Sequence, residues 1–172
     1  LGGVALIIAA WGGYIFYQNK QAEANGVVAE SYVKALDAAN SGNATQEADS
    51  LKTFETIGKD GSIGYQASGQ TMQAGLLAKQ GKAKEAAAPY AKVAANTAYP
   101  KAFRDMAVIR QTIIEYDTMK PADVIKRLAP MAKKGEPFFR TAGELTGLAM
   151  LQLGQKKEAG ALFKSLAEDK HT

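Results

Sequence analysis

The chain has 172 residues, no cysteine and a single histidine, His171. Without cysteine it can form no disulfide, no catalytic thiolate and no metal site built from thiolates. One histidine cannot form a histidine-rich metal centre, and His171 is the penultimate residue, in a segment that is expected to fray. We therefore expect no resident metal ion.

The sequence also lacks the residue patterns that indicate an enzyme. Residues 58–64 read GKDGSIG, without the order of glycines, lysine and serine or threonine that forms a phosphate loop. Glu115 and Asp117 are two positions apart, so on a helix they point in different directions and do not form a catalytic pair. We expect a protein that binds partners, with no catalytic residues and no cofactor.

Patterns typical of β-strands are scarce. β-branched residues are few, and apolar and polar residues do not alternate. Instead, segments with helical periodicity are separated by turn-forming residues, which predicts seven or eight helices and an all-α fold. The predicted breaks are at residues 40–43, 58–62, 96–100, 118–121 and 133–137, and at Gly81 and Gly154.

A long uncharged run occurs only at the N-terminus. Residues 1–19 precede the first charge, Lys20, and as a helix they would span about 28 Å, close to the thickness of a bilayer core. We interpret residues 1–19 as a transmembrane anchor and residues 20–172 as a separate helical domain. The aromatic residues expected at one membrane interface are Trp11, Tyr14, Phe16 and Tyr17.

Residues 1–19 have two other interpretations. A cleaved signal peptide would end in small residues at its cleavage site, whereas this stretch ends in bulky aromatic residues. A buried helix would need a similarly apolar partner, and the rest of the sequence contains none.

Charge is unevenly distributed in a chain with a net charge of +4. Residues 18–66 carry four basic and seven acidic side chains, whereas residues 67–140 carry thirteen basic and six acidic ones. The basic region fits either solvated helix faces or a surface for an acidic partner or anionic lipid headgroups. Nucleic acid is not an expected ligand, because the basic residues are scattered and no aromatic platform accompanies them.

Two stretches, 73 residues apart, are closely similar. Residues 74–94 read AGLLAKQGKAKEAAAPYAKVA, and residues 147–167 read GLAMLQLGQKKEAGALFKSLA. Helical hairpins of this kind cannot bury their apolar faces alone, so they stack on copies of themselves. The pairs that coincide are Gly81 with Gly154, Ala86 with Ala159 and Tyr90 with Phe163.

This pattern resembles the tetratricopeptide repeat. That repeat has a small residue in its first helix, a glycine near the turn, then an alanine and an aromatic residue in its second helix. Residues 67–100 and 140–168 match it, whereas residues 101–139 have a longer turn and place Val124 or Ile125 at the alanine position. The resemblance implies an α-solenoid of helical hairpins and says little about function.

The layout also resembles a bacterial family of single-pass inner-membrane proteins with tetratricopeptide-like repeats, described as an ancillary subunit of the Sec translocon. The shared features are the N-terminal apolar stretch, the YQNKQ sequence after it and the degenerate repeats. The resemblance implies a repeat domain in the periplasm, with the translocon and a membrane-anchored prolyl-isomerase-like chaperone as partners. The alternative is an accessory single-span subunit of a respiratory or photosynthetic membrane complex.

A solenoid of helical hairpins presents an extended surface, formed by the first helix of each hairpin, on which a partner helix or an unfolded chain can bind. The repeat register predicts the residues of this surface on three helices. They are Thr71, Gly75, Ala78 and Lys79, then Lys101, Arg104 and Gln111, and then Glu144, Leu148 and Gln152. The methionines, including Met72 and Met106, are interpreted as core residues.

Overall fold

The computed structural model describes residues 20 and 25–169 of the chain. Over this range the protein is all helical and contains no strand, which confirms the predicted fold class and number of helices. The described part of the first helix, α1, covers residues 25–39. The others are α2 (Ala44–Asp60), α3 (Ile63–Lys79), α4 (Ala83–Ala95), α5 (Lys101–Glu115), α6 (Pro121–Leu128), α7 (Phe139–Gln152) and α8 (Lys156–Ala167), with a 3-10 helix (Tyr116–Thr118) between α5 and α6.

Turn chemistry explains why several helices begin or end where the sequence predicts. Gly81 and Gly154 have φ angles of +76° and +75°, a conformation that is strained for other residues and reverses the chain after α3 and α7. Pro121 is the first residue of α6. Its missing N–H costs nothing there, because the first N–H groups of a helix have no acceptor within the helix.

Two predicted breaks differ from the structure. Helix α2 continues to Asp60, so the connection predicted at residues 58–62 is shorter. Helix α6 has only 8 residues, and the connection after it covers residues 129–138 instead of 133–137. Pro130 explains the early end, because proline has no N–H with which to continue the hydrogen bonding of α6.

The predicted transmembrane anchor, residues 1–19, lies outside the described residues. The same is true of His171 and of the four aromatic residues assigned to a membrane interface, Trp11, Tyr14, Phe16 and Tyr17. Among the helices of residues 20 and 25–169, none has both the length and the apolar character that crossing a membrane requires.

The chain forms two compact units, Leu1–Gly69 and Gln70–Thr172, which divide within α3. In the first unit, Phe54 of α2 is fully buried, and Tyr32 of α1 packs edge-on against it with ring centroids 5.4 Å apart. Helices α2 and α3 approach closely at Gly58 and Gly69. A β-carbon at Gly69 would lie 2.7 Å from the backbone nitrogen of Gly58, so the contact requires glycine.

In the second unit, equivalent positions of successive helices are buried. Ala86, Val124 and Ala159 lie at the same position of α4, α6 and α8, and their exposed fractions are 0%, 1% and 0%. Val124, and not the half-buried Ile125, therefore takes the alanine position of the middle hairpin. The core between α5, α6 and α7 is formed by Ile109, Val124, Leu128, Met131, Ala142 and Ala149.

Candidate partner-binding groove

A groove lies between α3 and α5 in the second unit, and we call it the α3–α5 groove. Its volume is about 410 Å³, which is within the range of pockets that hold ligands or large side chains. Tyr90 of α4 also contributes to its lining, although this residue is only 4% exposed. The lining residues are Thr71, Met72, Gly75 and Ala78 of α3, Tyr90 of α4, and Met106, Arg110, Ile113 and Ile114 of α5.

Small side chains on α3 open this groove. Thr71, Gly75 and Ala78 follow the spacing of one helix face. A β-carbon at Gly75 would lie 3.7 Å from the hydroxyl oxygen of Tyr90, which is ordinary contact distance. The absence of a side chain at Gly75 therefore leaves space next to the Tyr90 hydroxyl.

The α5 wall combines apolar side chains with one positive charge. Met106, Arg110 and Ile113 have the spacing of one helix face, and Ile113 is 44% exposed. Arg110 is exposed, and its guanidinium forms no ion pair with any acidic residue among those described. The groove thus offers an apolar surface with a cation available to a ligand.

The Tyr90 hydroxyl is a polar group in this apolar setting. Burial raises the pKa of Tyr90, and the positive charge of Arg110 opposes that rise. The hydroxyl therefore remains protonated and able to donate a hydrogen bond. The described residues give it no hydrogen bond, and its oxygen is not among their buried polar atoms that lack a partner, so the hydroxyl is open to the groove.

The sequence-predicted residues of α3 and α7 occupy equivalent positions. Thr71, Gly75 and Ala78 line the α3–α5 groove, and Lys79 is exposed at the end of α3. Shifting the sequence by 73 positions brings α3 onto α7. The predicted residues there are Glu144, Leu148 and Gln152, which are all exposed, with Leu148 at 47%. That these residues bind a partner remains a prediction.

The residues predicted on α5 lie on a different side of the helix from the groove. Because successive residues of an α-helix are rotated by about 100°, Arg104 and Gln111 point roughly opposite to Met106 and Ile113. The structure therefore does not bring the predicted α5 residues together with those of α3. It places Arg110 in the groove instead, together with two methionines that the sequence analysis assigned to the core.

All three predicted α5 residues form bonds within the second unit. Arg104 donates from Nε to the backbone oxygen of Tyr99 at 3.2 Å. Gln111 donates from Nε2 to Oε1 of Glu115 at 3.0 Å. Lys101 forms ion pairs with two carboxylates, those of Asp105 and Glu136. These bonds hold the α5 side chains to neighbouring parts of the fold.

The comparison with protein families shows which family the chain resembles. A family model described as a tetratricopeptide repeat-like domain matches residues 1–171, almost the whole chain. No curated protein and no solved structure matches the sequence significantly. Among the described residues, no cluster of histidine, aspartate or glutamate could hold a metal ion.

Proposed function

Because the chain belongs to the tetratricopeptide repeat-like domain family, we propose that it is a scaffold that binds partner proteins through the α3–α5 groove. The observation that carries the proposal is this groove, with the exposed Ile113 and the unpaired Arg110 on its wall. Repeats of helical hairpins generally bind other proteins along such surfaces. In this proposal the protein binds and performs no chemistry of its own.

The proposal includes a location for the scaffold. Residues 1–19 contain no charge and are long enough, as a helix, to cross a bilayer core. We propose that they anchor the protein in the bacterial inner membrane with the repeat domain in the periplasm. The support for this location is the sequence of the N-terminal segment and the resemblance of the overall layout to the translocon-associated family.

The proposed partners follow from the same resemblance. They are the Sec translocon, a membrane-anchored periplasmic chaperone and unfolded chains that leave the translocon. The charge of the second unit favours an acidic partner surface, since residues 70–169 carry sixteen basic and ten acidic side chains. Opposite charges would speed the encounter and align the two proteins.

Purification of the full chain in a mild detergent, followed by mass spectrometry, tests this proposal. We expect translocon subunits or the chaperone at amounts comparable to the chain itself. An energy-converting complex at such amounts would instead support the accessory-subunit role, in which Trp11, Tyr14 and Phe16 pack on neighbouring membrane helices. The absence of any companion at comparable amounts would contradict the scaffold proposal.

A variant with residues 1–19 replaced by an unrelated membrane helix is the matched control. If the repeat domain recruits the partners, they will co-purify with this variant as well. If the apolar segment alone recruits them, they will be lost, and the α3–α5 groove is then not the binding site.

A further inference from the structure

We propose that the α3–α5 groove recognises a segment of a partner protein in which an aspartate or glutamate lies beside a large apolar side chain. The carboxylate accepts a hydrogen bond from the Tyr90 hydroxyl and pairs with the guanidinium of Arg110. This inference rests on the proposed function, because it names the chemistry of the ligand that the scaffold binds.

The carboxylate of the proposed ligand is inferred from two polar groups that line the groove, the Tyr90 hydroxyl and the Arg110 guanidinium. The Tyr90 hydroxyl lines the groove and makes no hydrogen bond to the described residues, so its O–H is available to a ligand. Arg110 lines the same groove, and its charge acts on Tyr90. A neutral acceptor would serve Tyr90 alone, whereas a carboxylate serves both groups and forms the stronger, charge-assisted bonds.

The apolar half follows from the rest of the lining. Met72, Met106 and Ile113 surround the polar pair, and Ile113 is 44% exposed. Methionine side chains are flexible and adapt to ligands of different shape. A volume of about 410 Å³ accommodates an apolar side chain together with a carboxylate. The ligand therefore presents both groups side by side.

The C-terminal hairpin lacks the glycine and the tyrosine hydroxyl of the α3–α5 groove, so these two features are not general to the repeat. By the shift of 73 positions, Leu148 stands where Gly75 opens the groove, and Phe163 stands where Tyr90 supplies its hydroxyl. The equivalent position on α7 and α8 has neither the opening nor the donor. The combination of Gly75, Tyr90 and Arg110 is thus local to the α3–α5 groove and suits a polar ligand group.

Peptide binding to the full chain in nanodiscs of neutral lipid tests the inference. The probe is a fluorescent peptide with blocked ends that carries one glutamate between two leucines in a host of alanine and glutamine. One sister peptide has glutamine in place of the glutamate, and another has alanine in place of the leucines. We expect each sister to bind about tenfold more weakly, the effect of losing one charge-assisted contact or one buried apolar anchor.

Three variants locate the binding site on the protein. Arg110→Gln and Tyr90→Phe remove the two donors while keeping most of each side chain, and each lowers the affinity for the glutamate peptide about tenfold. Arg110→Gln leaves the affinity for the glutamine peptide within about twofold, because the neutral amide does not pair with the guanidinium, whereas Tyr90→Phe weakens both peptides because the amide oxygen also accepts from the hydroxyl. Gly75→Leu installs the residue of the equivalent α7 position and abolishes binding of all three peptides, while circular dichroism shows an unchanged helical content.

Lys157→Gln is the matched charge control, because Lys157 is an exposed residue of α8 and does not line the groove. It removes the same charge as Arg110→Gln, and we expect the affinity to stay within about twofold. A larger loss would show that Arg110 acts through the net charge of the protein and not through direct contact with the peptide.

The outcomes separate this inference from the proposed function. Equal affinities for the glutamate and glutamine peptides, combined with a loss of binding in Gly75→Leu, would overturn the carboxylate inference and keep the groove as a protein-binding site. Binding that Gly75→Leu leaves unchanged would overturn both. Oligomers of the chain that Gly75→Leu dissociates would show that a second copy occupies the groove, which also overturns the inference.

Discussion

Gly147 of α7 lies against the aromatic ring of Phe163 of α8, and a β-carbon at Gly147 would be 2.5 Å from Cζ of that ring. Such a distance is far below van der Waals contact. In the preceding copy of the motif, 73 positions earlier, the corresponding residues are Ala74 and Tyr90, which are both buried. The absence of a side chain at Gly147 therefore sets how closely α7 and α8 pack.

We expect Gly147→Ala to lower the free energy of unfolding by about 1 kcal/mol. Alanine favours the helix by up to about 1 kcal/mol, but overpacking against Phe163 costs about 1–3 kcal/mol. Gly160→Ala on α8 is the control, because a β-carbon there meets nothing within 4 Å, and it should stabilise the protein. Urea unfolding measures both, and a stabilising Gly147→Ala would contradict the packing described.

Two buried threonines should respond differently to replacement by valine. Oγ1 of Thr146 is buried and has no hydrogen-bond partner among residues 20 and 25–169, so Thr146→Val should stabilise the protein by about 1 kcal/mol. Oγ1 of Thr112 donates to the backbone oxygen of Val108 at 2.7 Å, so Thr112→Val should bring no gain. Thermal unfolding measures both variants. A loss of stability in Thr146→Val would mean that its hydroxyl has a partner in solution.

The ion pair between Glu115 and Arg127 should make stability depend on pH. Burial alone would raise the pKa of Glu115, but hydrogen bonds from Arg127, at 2.6 Å, and from Gln111 hold the pKa below its usual value of 4.5. Because the pKa is lowered in the folded protein, the carboxylate stabilises the fold above pH 4.5. This contribution is lost as the pH falls through the folded-state value.

Glu115→Gln tests this dependence. At neutral pH the variant should be less stable than the parent protein by about 1 kcal/mol, and the difference should shrink as the pH falls below 4.5. Urea unfolding at several pH values measures the difference. If the difference in free energy of unfolding between the two proteins stays constant down to the lowest pH at which they fold, ionisation of Glu115 does not contribute to stability.

Much of the fold could be predicted from the sequence because its signals are local. The left-handed glycines Gly81 and Gly154 and the N-terminal Pro121 act within their own turns, so the sequence shows where those helices begin or end. Pro130 carried the same kind of signal, and its missing N–H could have predicted the short α6.

The α5 side of the groove could not be predicted in the same way. Residues 74–94 and 147–167 align with each other, which fixes the faces of α3 and α7, but α5 has no aligned copy and precedes a longer connection. The spacing of Met106, Arg110 and Ile113 was a usable signal, since it places a cation within an apolar helix face. Only the packing of α5 beside α3 shows that this face is open.

The central claim is that a partner protein occupies the α3–α5 groove. A photo-reactive amino acid at Ile113 of the full chain in living cells tests it most directly, with Lys157 on α8 as the control position. We predict a discrete protein adduct at Ile113 that is absent at Lys157 and disappears when Gly75→Leu is added. Equal adducts at both positions, or an adduct at Ile113 that Gly75→Leu leaves unchanged, would contradict the claim.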